Sequence, residues 1–198
     1  HLALPFFEAA HRDIAARLPE WSNAQGVNET DDRAACRDWV RRMGADGWLR
    51  YCVSAEHGGA LPQLDSRALV VLRETLAFYS PLADFAFAMQ GLGSGAISLG
   101  GTPAQQAAYL PAVARGDKIA AFALSEPDAG SDVAAMKTRA ACANQNSAGG
   151  QNHSESTDWK VTGTKTWISN GGLADFYCVF AKTDRLAGSR GITAFIVD

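Results

Sequence analysis

The chain has 198 residues, of which 47% are apolar and 20% are charged, and its net charge is −3. This composition is typical of a globular protein with one large domain or two small ones. It excludes the basic surface that binding to nucleic acid or to an anionic membrane requires, and no run of 18 apolar residues predicts a membrane span.

The first half of the chain has the periodicity of amphipathic helices. A short helix is predicted at 11–18, and Thr30 is the predicted N-cap of a second helix that ends at Gly44. Apolar residues recur every three or four positions along this second helix and along a third one after the turn at His57-Gly58-Gly59. The two stripes are Cys36, Trp39, Val40 and Met43, and Leu69, Leu72, Leu76 and Tyr79.

Two more helices follow, and each has a clear start signal. Ser80 and Pro81 are an N-cap and a first helical residue, and the helix that they begin, 82–99, contains a single charged residue, Asp84. Because it is apolar on all sides, we expect this helix in the middle of a bundle. Thr102 and Gln105 form a capping box for a fifth helix, which is predicted to end near Gly116.

The fourth helix contains Gly91-Leu92-Gly93-Ser94-Gly95-Ala96, which matches the G-x-G-x-x-A pattern of dinucleotide-binding proteins. That pattern indicates a nucleotide site only when a strand precedes it within a βαβ unit. Here it lies inside a helical stretch. We therefore interpret these glycines as positions where helices approach closely or where space is left for a ligand.

The composition changes at Gly116-Asp117. Short runs rich in β-branched and aromatic residues predict strands at 118–125, 136–143, 159–161, 164–169, 176–182 and 191–197. Thr162-Gly163 is the predicted two-residue turn of a hairpin, and the polar, Gly- and Ser-rich stretch 144–158 is predicted to be an exposed, mobile hairpin tip. The predicted fold class is α+β: a helical bundle at 1–117, then an incomplete antiparallel β-barrel-like domain at 118–198.

The cysteines and histidines give no metal or disulfide pattern. Four cysteines are far apart in sequence and form no Cys-x-x-Cys pair, which predicts reduced thiols. They are Cys36, Cys52, Cys142 and Cys178. The histidines lack the spacing of metal ligands, so no metal site is predicted.

Two motifs carry the functional information. The first, Phe122-Ala123-Leu124-Ser125-Glu126-Pro127-Asp128-Ala129-Gly130-Ser131-Asp132, leads an apolar run into a polar turn with exposed N–H groups and hydroxyls. The second, Trp167-Ile168-Ser169-Asn170-Gly171-Gly172, places a flat aromatic side chain beside a hydroxyl. A planar cofactor needs donors for its polar edge and an apolar surface for its ring. We therefore expect the two motifs to converge on one ring.

These two motifs resemble the two signatures of the acyl-CoA dehydrogenase family. The elements also follow one another in the family's order: the capped helix at Thr102, then Gly116-Asp117, then the signature strand. The resemblance covers nearly the whole chain. It implies a helical N-terminal domain, a central β domain, and a C-terminal four-helix domain that is absent from this chain. It further implies FAD as cofactor, an acyl-CoA substrate, and transfer of electrons to electron-transfer flavoprotein.

The resemblance also assigns site residues. Phe122, Leu124 and Ser125 would meet the flavin ring, Ser131 would contact the flavin diphosphate or the acyl-CoA, Trp167 would pack on the isoalloxazine, and Ser169 would bond near flavin N5. Gly130 and Ile168 complete the expected cofactor site. Ser125 and Ser169 stand where the family often has Thr, and Asp128 adds a negative charge where Gly is common.

No catalytic residue is predicted within the chain. Glu126 is a candidate base, but the resemblance places the catalytic Glu in the C-terminal domain, beyond Asp198, so residues 1–198 alone are expected to be inactive. Acyl-chain length is expected to be set by helix residues 87–97 together with others outside the chain.

Alternatives remain open at this point. One is an acyl-CoA oxidase or a monooxygenase of the same fold, and another is a non-catalytic module that binds acyl-CoA or a partner. The resemblance implies a homodimer or homotetramer. The expected location is the bacterial cytoplasm, with the mitochondrial matrix as the alternative.

Overall fold

The computed structural model describes residues 1–142 and 158–198, so the predicted hairpin tip at 144–158 lies, apart from its last residue, outside the described part. The described chain contains five α-helices, α1 (Ala9–Asn23), α2 (Asp32–Ala45), α3 (Ser66–Tyr79), α4 (Pro81–Gly100) and α5 (Pro103–Arg115). It also contains five strands, β1 (Ala120–Ala123), β2 (Arg139–Cys142), β3 (Trp159–Thr162), β4 (Phe176–Lys182) and β5 (Ile192–Val197). Two compact units result: residues 1–121 with 170–176, and residues 122–169 with 177–198.

Two of the predicted helix starts are confirmed, and two are misplaced. Ser80 accepts the N–H of Ala83, and Thr102 forms the predicted capping box with Gln105. The cap of α2 is Asp31 rather than Thr30, because the Asp31 carboxylate accepts two N–H groups of the first turn. The first helix is longer than predicted, and Glu8 caps it reciprocally with His11. A carboxylate at an N-cap also interacts favourably with the helix dipole.

Gly44 does not end α2, contrary to the sequence interpretation. The helix continues to Ala45, and the left-handed residue that follows it is Gly47, with a φ of 81°. Gly44 is buried and faces the backbone of α5: a Cβ atom there would lie 2.1 Å from the carbonyl oxygen of Arg115. Because Gly44 has no side chain, α2 and α5 can approach closely.

Helix α4 contacts α2, α3 and α5, as expected of the central helix of a bundle. It is not covered on all sides, however, because Phe85 and Leu92 are exposed and Leu99 is 86% exposed. The helix is therefore less buried than its uniformly apolar composition predicted. Tyr79, predicted to belong to the apolar stripe of α3, is likewise exposed, and the buried stripe there is Ala68, Val71, Leu72 and Leu76.

Buried amides join the helices of the first unit to its non-helical segments. The Gln90 side chain accepts the N–H of Ala120 and donates to the carbonyl of Lys118, at 2.9 Å each. The Asn170 amide donates to the carbonyl of Ala120 at 2.9 Å. A buried amide with every partner satisfied fixes the backbone that it bonds, so both segments have a defined place in this unit.

The dinucleotide-like pattern of α4 lies wholly within the helix, which confirms that it is not a nucleotide-binding turn. Gly93 packs directly against the start of β1, where a Cβ atom would lie 2.5 Å from the Cβ of Ala120. Gly95 has nothing within 4 Å of the equivalent position. Gly93 therefore allows α4 to pack closely against β1, whereas Gly95 faces open space.

The α+β fold class is confirmed, but the sheet is mixed rather than purely antiparallel. Strand β4 pairs with β1, β2 and β5, and β3 extends the sheet from β2. The β2–β3 and β4–β5 pairs are antiparallel, whereas β2 and β4 are parallel. A parallel pair needs a longer connection than a hairpin, and the chain between β2 and β4 supplies it.

The predicted strand at 164–169 and the predicted hairpin turn at Thr162-Gly163 are wrong. Residues 164–169, all described, form no strand, because Trp167 has a left-handed φ of 55° that interrupts an extended chain. Gly163 lies against Thr138, where a Cβ atom would be 2.6 Å from the Cα of that residue. The glycine therefore permits backbone contact with the residue before β2 rather than a tight turn.

The first unit also contains an apolar cavity of about 500 Å³, lined in part by Cys52, Phe87, Gly91 and Leu92. All four cysteines are thiols without disulfides, and burial raises the pKa of Cys52 to about 12. Such a thiol is a poor nucleophile at neutral pH. Within the described residues, no helix combines the length and the apolarity that a bilayer span needs.

Candidate functional site

The first motif runs from β1 into a tight turn of the second unit. Glu126 and Ala129 exchange backbone hydrogen bonds at 2.9 and 3.2 Å, which closes the turn over Pro127 and Asp128. Ser125 is half-buried just before this turn. The turn therefore places the Ser125 hydroxyl at the end of a strand, where the backbone begins to leave the sheet.

Phe122 and Leu124 give this part of the site its apolar side. Burial alternates along β1: Ala121 and Ala123 are buried, whereas Phe122 and Leu124 are only half-buried. The Phe122 ring packs against Phe180 of β4, with ring centroids 4.9 Å apart. Because alternate residues of a strand point to the same face, Phe122 and Leu124 lie on one side of the sheet.

The second motif lies directly beside the first. The N–H of Thr166 donates to the carbonyl of Ser125 at 3.0 Å, and the ammonium of Lys165 donates to the carbonyl of Leu124 at 2.8 Å. Trp167 is therefore one residue away from a backbone hydrogen bond to the Ser125 segment. The segment just before the second motif, some 40 residues after the first in sequence, is thus hydrogen-bonded to the first motif, while the convergence of both motifs on one cofactor ring stays a prediction.

Trp167 is almost fully exposed and has an unfavourable backbone conformation. Its side chain is 89% exposed, and its φ of 55° lies in the left-handed region. That conformation is unfavourable for a bulky side chain, at about 1–3 kcal/mol, and an exposed indole gains little from burial. Strained residues cluster at functional sites, which makes Trp167 a candidate for contact with a ligand.

The remaining predicted site residues divide into two groups. Ile168 and Ser169 follow Trp167 directly and are half-buried. Gly130 and Ser131 lie beyond the turn and are exposed. Gly130 has a negative φ and open space at its Cβ position, so the turn itself does not require glycine there.

A buried ion pair joins Glu126 of the first motif to Lys165, two residues before the second motif, and the sequence did not indicate Lys165 as a site residue. The ammonium of Lys165 lies 3.0 Å from the carboxylate of Glu126, and the two side chains are only 11% and 4% exposed. The same carboxylate accepts the backbone N–H groups of Lys137 and Thr138 at 2.6 and 2.9 Å. One carboxylate of the first motif therefore connects it to the segment just before the second motif and to the chain that leads into β2.

Burial alone would raise the pKa of Glu126, but its hydrogen bonds outweigh burial and lower the pKa to about 2. A carboxylate that is fully paired and weakly basic is not suited to abstract a proton. This agrees with the sequence interpretation, which did not assign Glu126 as the base.

Asp128, which stands where the acyl-CoA dehydrogenase family often has Gly, also forms an ion pair. Its carboxylate lies 2.6 Å from the ammonium of Lys137, and both side chains are exposed. The negative charge that Asp128 adds is therefore compensated locally. Among the residues that the structure describes, no group of three or more His, Cys, Asp or Glu side chains is placed to hold a metal ion.

Comparison with known proteins identifies two matching family models. The model "Acyl-CoA dehydrogenase, N-terminal domain" matches residues 8–117, and "Acyl-CoA dehydrogenase, middle domain" matches residues 121–198. The match confirms the resemblance that the two motifs suggested.

Individual relatives agree with these models. A short-chain-specific acyl-CoA dehydrogenase of Clostridium acetobutylicum is 33% identical over 80% of this chain and 38% of its own length. A 3-(aryl)acrylate reductase of Clostridium sporogenes is 33% identical over 98% of this chain and 49% of its own length. The structure of a Bacillus anthracis acyl-CoA dehydrogenase complexed with FAD superposes with a TM-score of 0.77, at 30% identity over 97% of this chain and 31% of the other. The chain thus spans at most about half of these proteins.

Proposed function

Because this chain belongs to the acyl-CoA dehydrogenase family, we propose that the protein takes part in FAD-dependent α,β-dehydrogenation of an acyl-CoA thioester. The observation that carries this proposal is the exposed, left-handed Trp167 beside the Ser125 segment. A relative of similar structure is a complex with FAD, and the residues present here fit that cofactor. They offer a flat ring, a half-buried apolar side and two nearby hydroxyls.

The proposed flavin contacts follow from these positions. The Trp167 indole would pack on the ring system, and Phe122 and Leu124 would line its apolar side. The hydroxyls of Ser125 and Ser169 would hydrogen-bond to its polar edge. The chemistry that FAD supplies when bound is acceptance of a hydride from the β carbon of the acyl chain.

The residues of this chain position the reactants and leave proton abstraction to another group. Holding an acyl chain flat against the ring lowers the entropic part of the barrier. Ser131, exposed beyond the turn, is the proposed contact for the thioester ligand or for the flavin diphosphate. Since Glu126 is fully paired, we place the catalytic base outside residues 1–198.

We further propose electron-transfer flavoprotein as the electron acceptor and a homodimer or homotetramer as the assembled form. The proposed location is the bacterial cytoplasm, since two relatives are clostridial proteins and the cysteines are reduced thiols. The cavity lined by Phe87 and Leu92 is proposed to take an apolar acyl tail, because both residues belong to the helix segment expected to set chain length.

Replacing Trp167 with Ala is expected to weaken FAD binding about tenfold, because packing between two ring systems contributes about 0.5–1.5 kcal/mol beyond the area that it buries. Trp167→Phe should keep most of the affinity. The free energy of unfolding should change by less than about 0.5 kcal/mol, as for other exposed side chains. Quenching of flavin fluorescence on titration of the protein with FAD measures the affinity.

Trp159→Ala is the matched control, because Trp159 is an exposed tryptophan of the same unit that packs on Phe195. It should leave FAD affinity unchanged. Equal affinity of the wild-type protein and the Trp167→Ala variant would contradict the proposed site, and no FAD binding by the wild-type protein would contradict the proposed function. Because the base is placed outside residues 1–198, the reaction itself is tested by bleaching of the bound flavin with a panel of acyl-CoA thioesters in a full-length protein that also carries the base.

A further inference from the structure

The apolar cavity of the helical unit has a charged group in its lining. Apart from Cys52 and Arg73, the residues that line its volume of about 500 Å³ are aliphatic, aromatic or glycine. The Cys52 thiol is neutral, because burial raises its pKa to about 12, and its sulfur lies 3.9 Å from the carbonyl oxygen of Phe87. Arg73 is therefore the strong hydrogen-bond donor of this cavity, and a purely apolar tail offers it no acceptor.

The charge of Arg73 is balanced by Asp84, the single charged residue of α4. The Nε and Nη2 atoms of Arg73 donate to the two carboxylate oxygens at 2.8 and 2.9 Å. The Asp84 side chain is 16% exposed, against 51% for Arg73. It also lies in the first turn of α4, where the helix dipole favours a negative charge. The pair therefore presents little net charge to a ligand.

One edge of the guanidinium is not used in this pair. In the described part of the chain, the structure gives the Nη1 atom of Arg73 no acceptor. A tail that fills the cavity would separate this N–H group from solvent, and a donor that loses water without gaining an acceptor costs free energy. A neutral oxygen on the tail would replace the water, whereas a carboxylate would be repelled by Asp84.

We infer that Arg73 is a specificity-determining residue for the acyl group, and that the preferred tail carries a neutral oxygen acceptor such as a keto group. This inference rests on the function proposed above. The cavity holds the hydrocarbon part of the tail, and the Nη1 atom of Arg73 donates to the oxygen. Asp84 keeps the guanidinium in place and disfavours a negatively charged tail. Such a site discriminates against a tail without the acceptor, because its donor is then left unpaired.

The test compares three acyl-CoA thioesters of matched size in the full-length protein with FAD bound. Heptanoyl-CoA, 6-oxoheptanoyl-CoA and adipoyl-CoA end in an alkyl, a keto and a carboxylate group. The same three end groups on chains one and two carbons longer vary the position of the oxygen. The rate of flavin bleaching at low thioester concentration measures the preference. At the best chain length, the wild-type protein should prefer the keto end over the other two by about tenfold.

Two variants separate the roles of the paired side chains. R73M should reduce the preference for the keto end over the alkyl end to about twofold or less, because the donor is gone. D84N leaves the positive charge of Arg73 uncompensated, so the carboxylate end should gain about tenfold relative to the keto end. R115M and D117N are the matched controls. They remove the corresponding charges from an exposed pair of the same unit and should leave the order of preference unchanged.

The preference is a ratio within one protein, so a variant that folds poorly lowers all three rates without changing it. A purely structural role of the pair would likewise affect the three thioesters alike. Equal bleaching by all three in the wild-type protein, or the same preference in R73M as in the wild type, would overturn the role of Arg73 and leave the proposed function intact. Failure of every thioester to bleach the flavin would contradict the proposed function and this inference together.

Discussion

Replacing Glu126 with Ala is expected to lower the free energy of unfolding by about 3–5 kcal/mol, the range for removing one partner of a buried ion pair. The variant leaves the Lys165 ammonium buried without its counter-charge. It also leaves two backbone N–H groups, of Lys137 and Thr138, without the acceptor that they now share. Urea unfolding at neutral pH measures the change.

The double variant E126Q/K165M is the informative comparison. It removes both charges while keeping side chains of similar size, and a buried pair replaced in this way is often neutral in stability. It should therefore be more stable than Glu126→Ala. Stability of Glu126→Ala equal to that of the wild-type protein would show that this ion pair does not stabilise the fold.

The same carboxylate should make stability depend on pH. Its pKa is lowered from 4.5 to about 2 in the folded protein, so its contribution is fully present above about pH 4.5 and is lost as the pH falls toward 2. A shift of this size corresponds to about 3 kcal/mol. The urea midpoint of the wild-type protein should fall across this window, and that of E126Q should fall less.

Asp65 accounts for the acid dependence that E126Q should retain. Hydrogen bonds from Arg67, with smaller contributions from others including His11, outweigh burial and lower its pKa, and the group lies in the helical unit. Its stabilising effect is also lost in acid. If E126Q and the wild-type protein have the same acid profile, the pairing of Glu126 does not contribute in the way proposed.

The second large effect is expected at Gly44. Ala at this position would put a Cβ atom 2.1 Å from the carbonyl oxygen of Arg115 and 2.7 Å from the N atom of Gly116. Both atoms belong to backbone, so relief requires α2 and α5 to separate. We expect a loss of about 3 kcal/mol in the free energy of unfolding, the upper end of the usual cost of overpacking.

Gly95→Ala is the matched control, because it is the same substitution inside another helix. Its Cβ position has nothing within 4 Å, and Ala is favoured over Gly in helices by about 1 kcal/mol. The two variants should therefore change stability in opposite directions. A loss of stability in both variants would mean that contact with α5 does not determine the effect of Gly44→Ala.

The parts of the fold that the sequence predicted depend on local interactions. The Ser80 hydroxyl accepts the N–H of Ala83, and Thr102 bonds reciprocally with Gln105. Each partner is three residues away, so these caps can be recognised in a short stretch of sequence. The start of α2 was misplaced by one residue because Thr30 and Asp31 are both good caps, and only the bonded geometry selects the acid.

The parts that failed depend on distant contacts. Residues 164–169 have the composition of a strand, but the bond from Thr166 to Ser125 and the left-handed Trp167 hold them outside the sheet. Gly44 has the sequence context of a helix end, yet its role is set by α5. The partner of Glu126 is 39 positions away, and no local pattern indicates which lysine it binds.

The candidate site shows the same division. The two motifs were recognisable from their residue types, whereas the hydrogen bonds from Lys165 and Thr166 to the first motif were not.

The backbone N–H of Ile119 donates to the carboxylate of Asp175, 56 positions later, and both residues belong to the helical unit. A ribosome that adds about 5–20 residues per second needs roughly 3 to 11 s to make the intervening chain. Throughout that interval the five helices exist without the segment that completes their unit. Nascent chains stalled before Asp175 should therefore be cut by protease more readily than chains released after it.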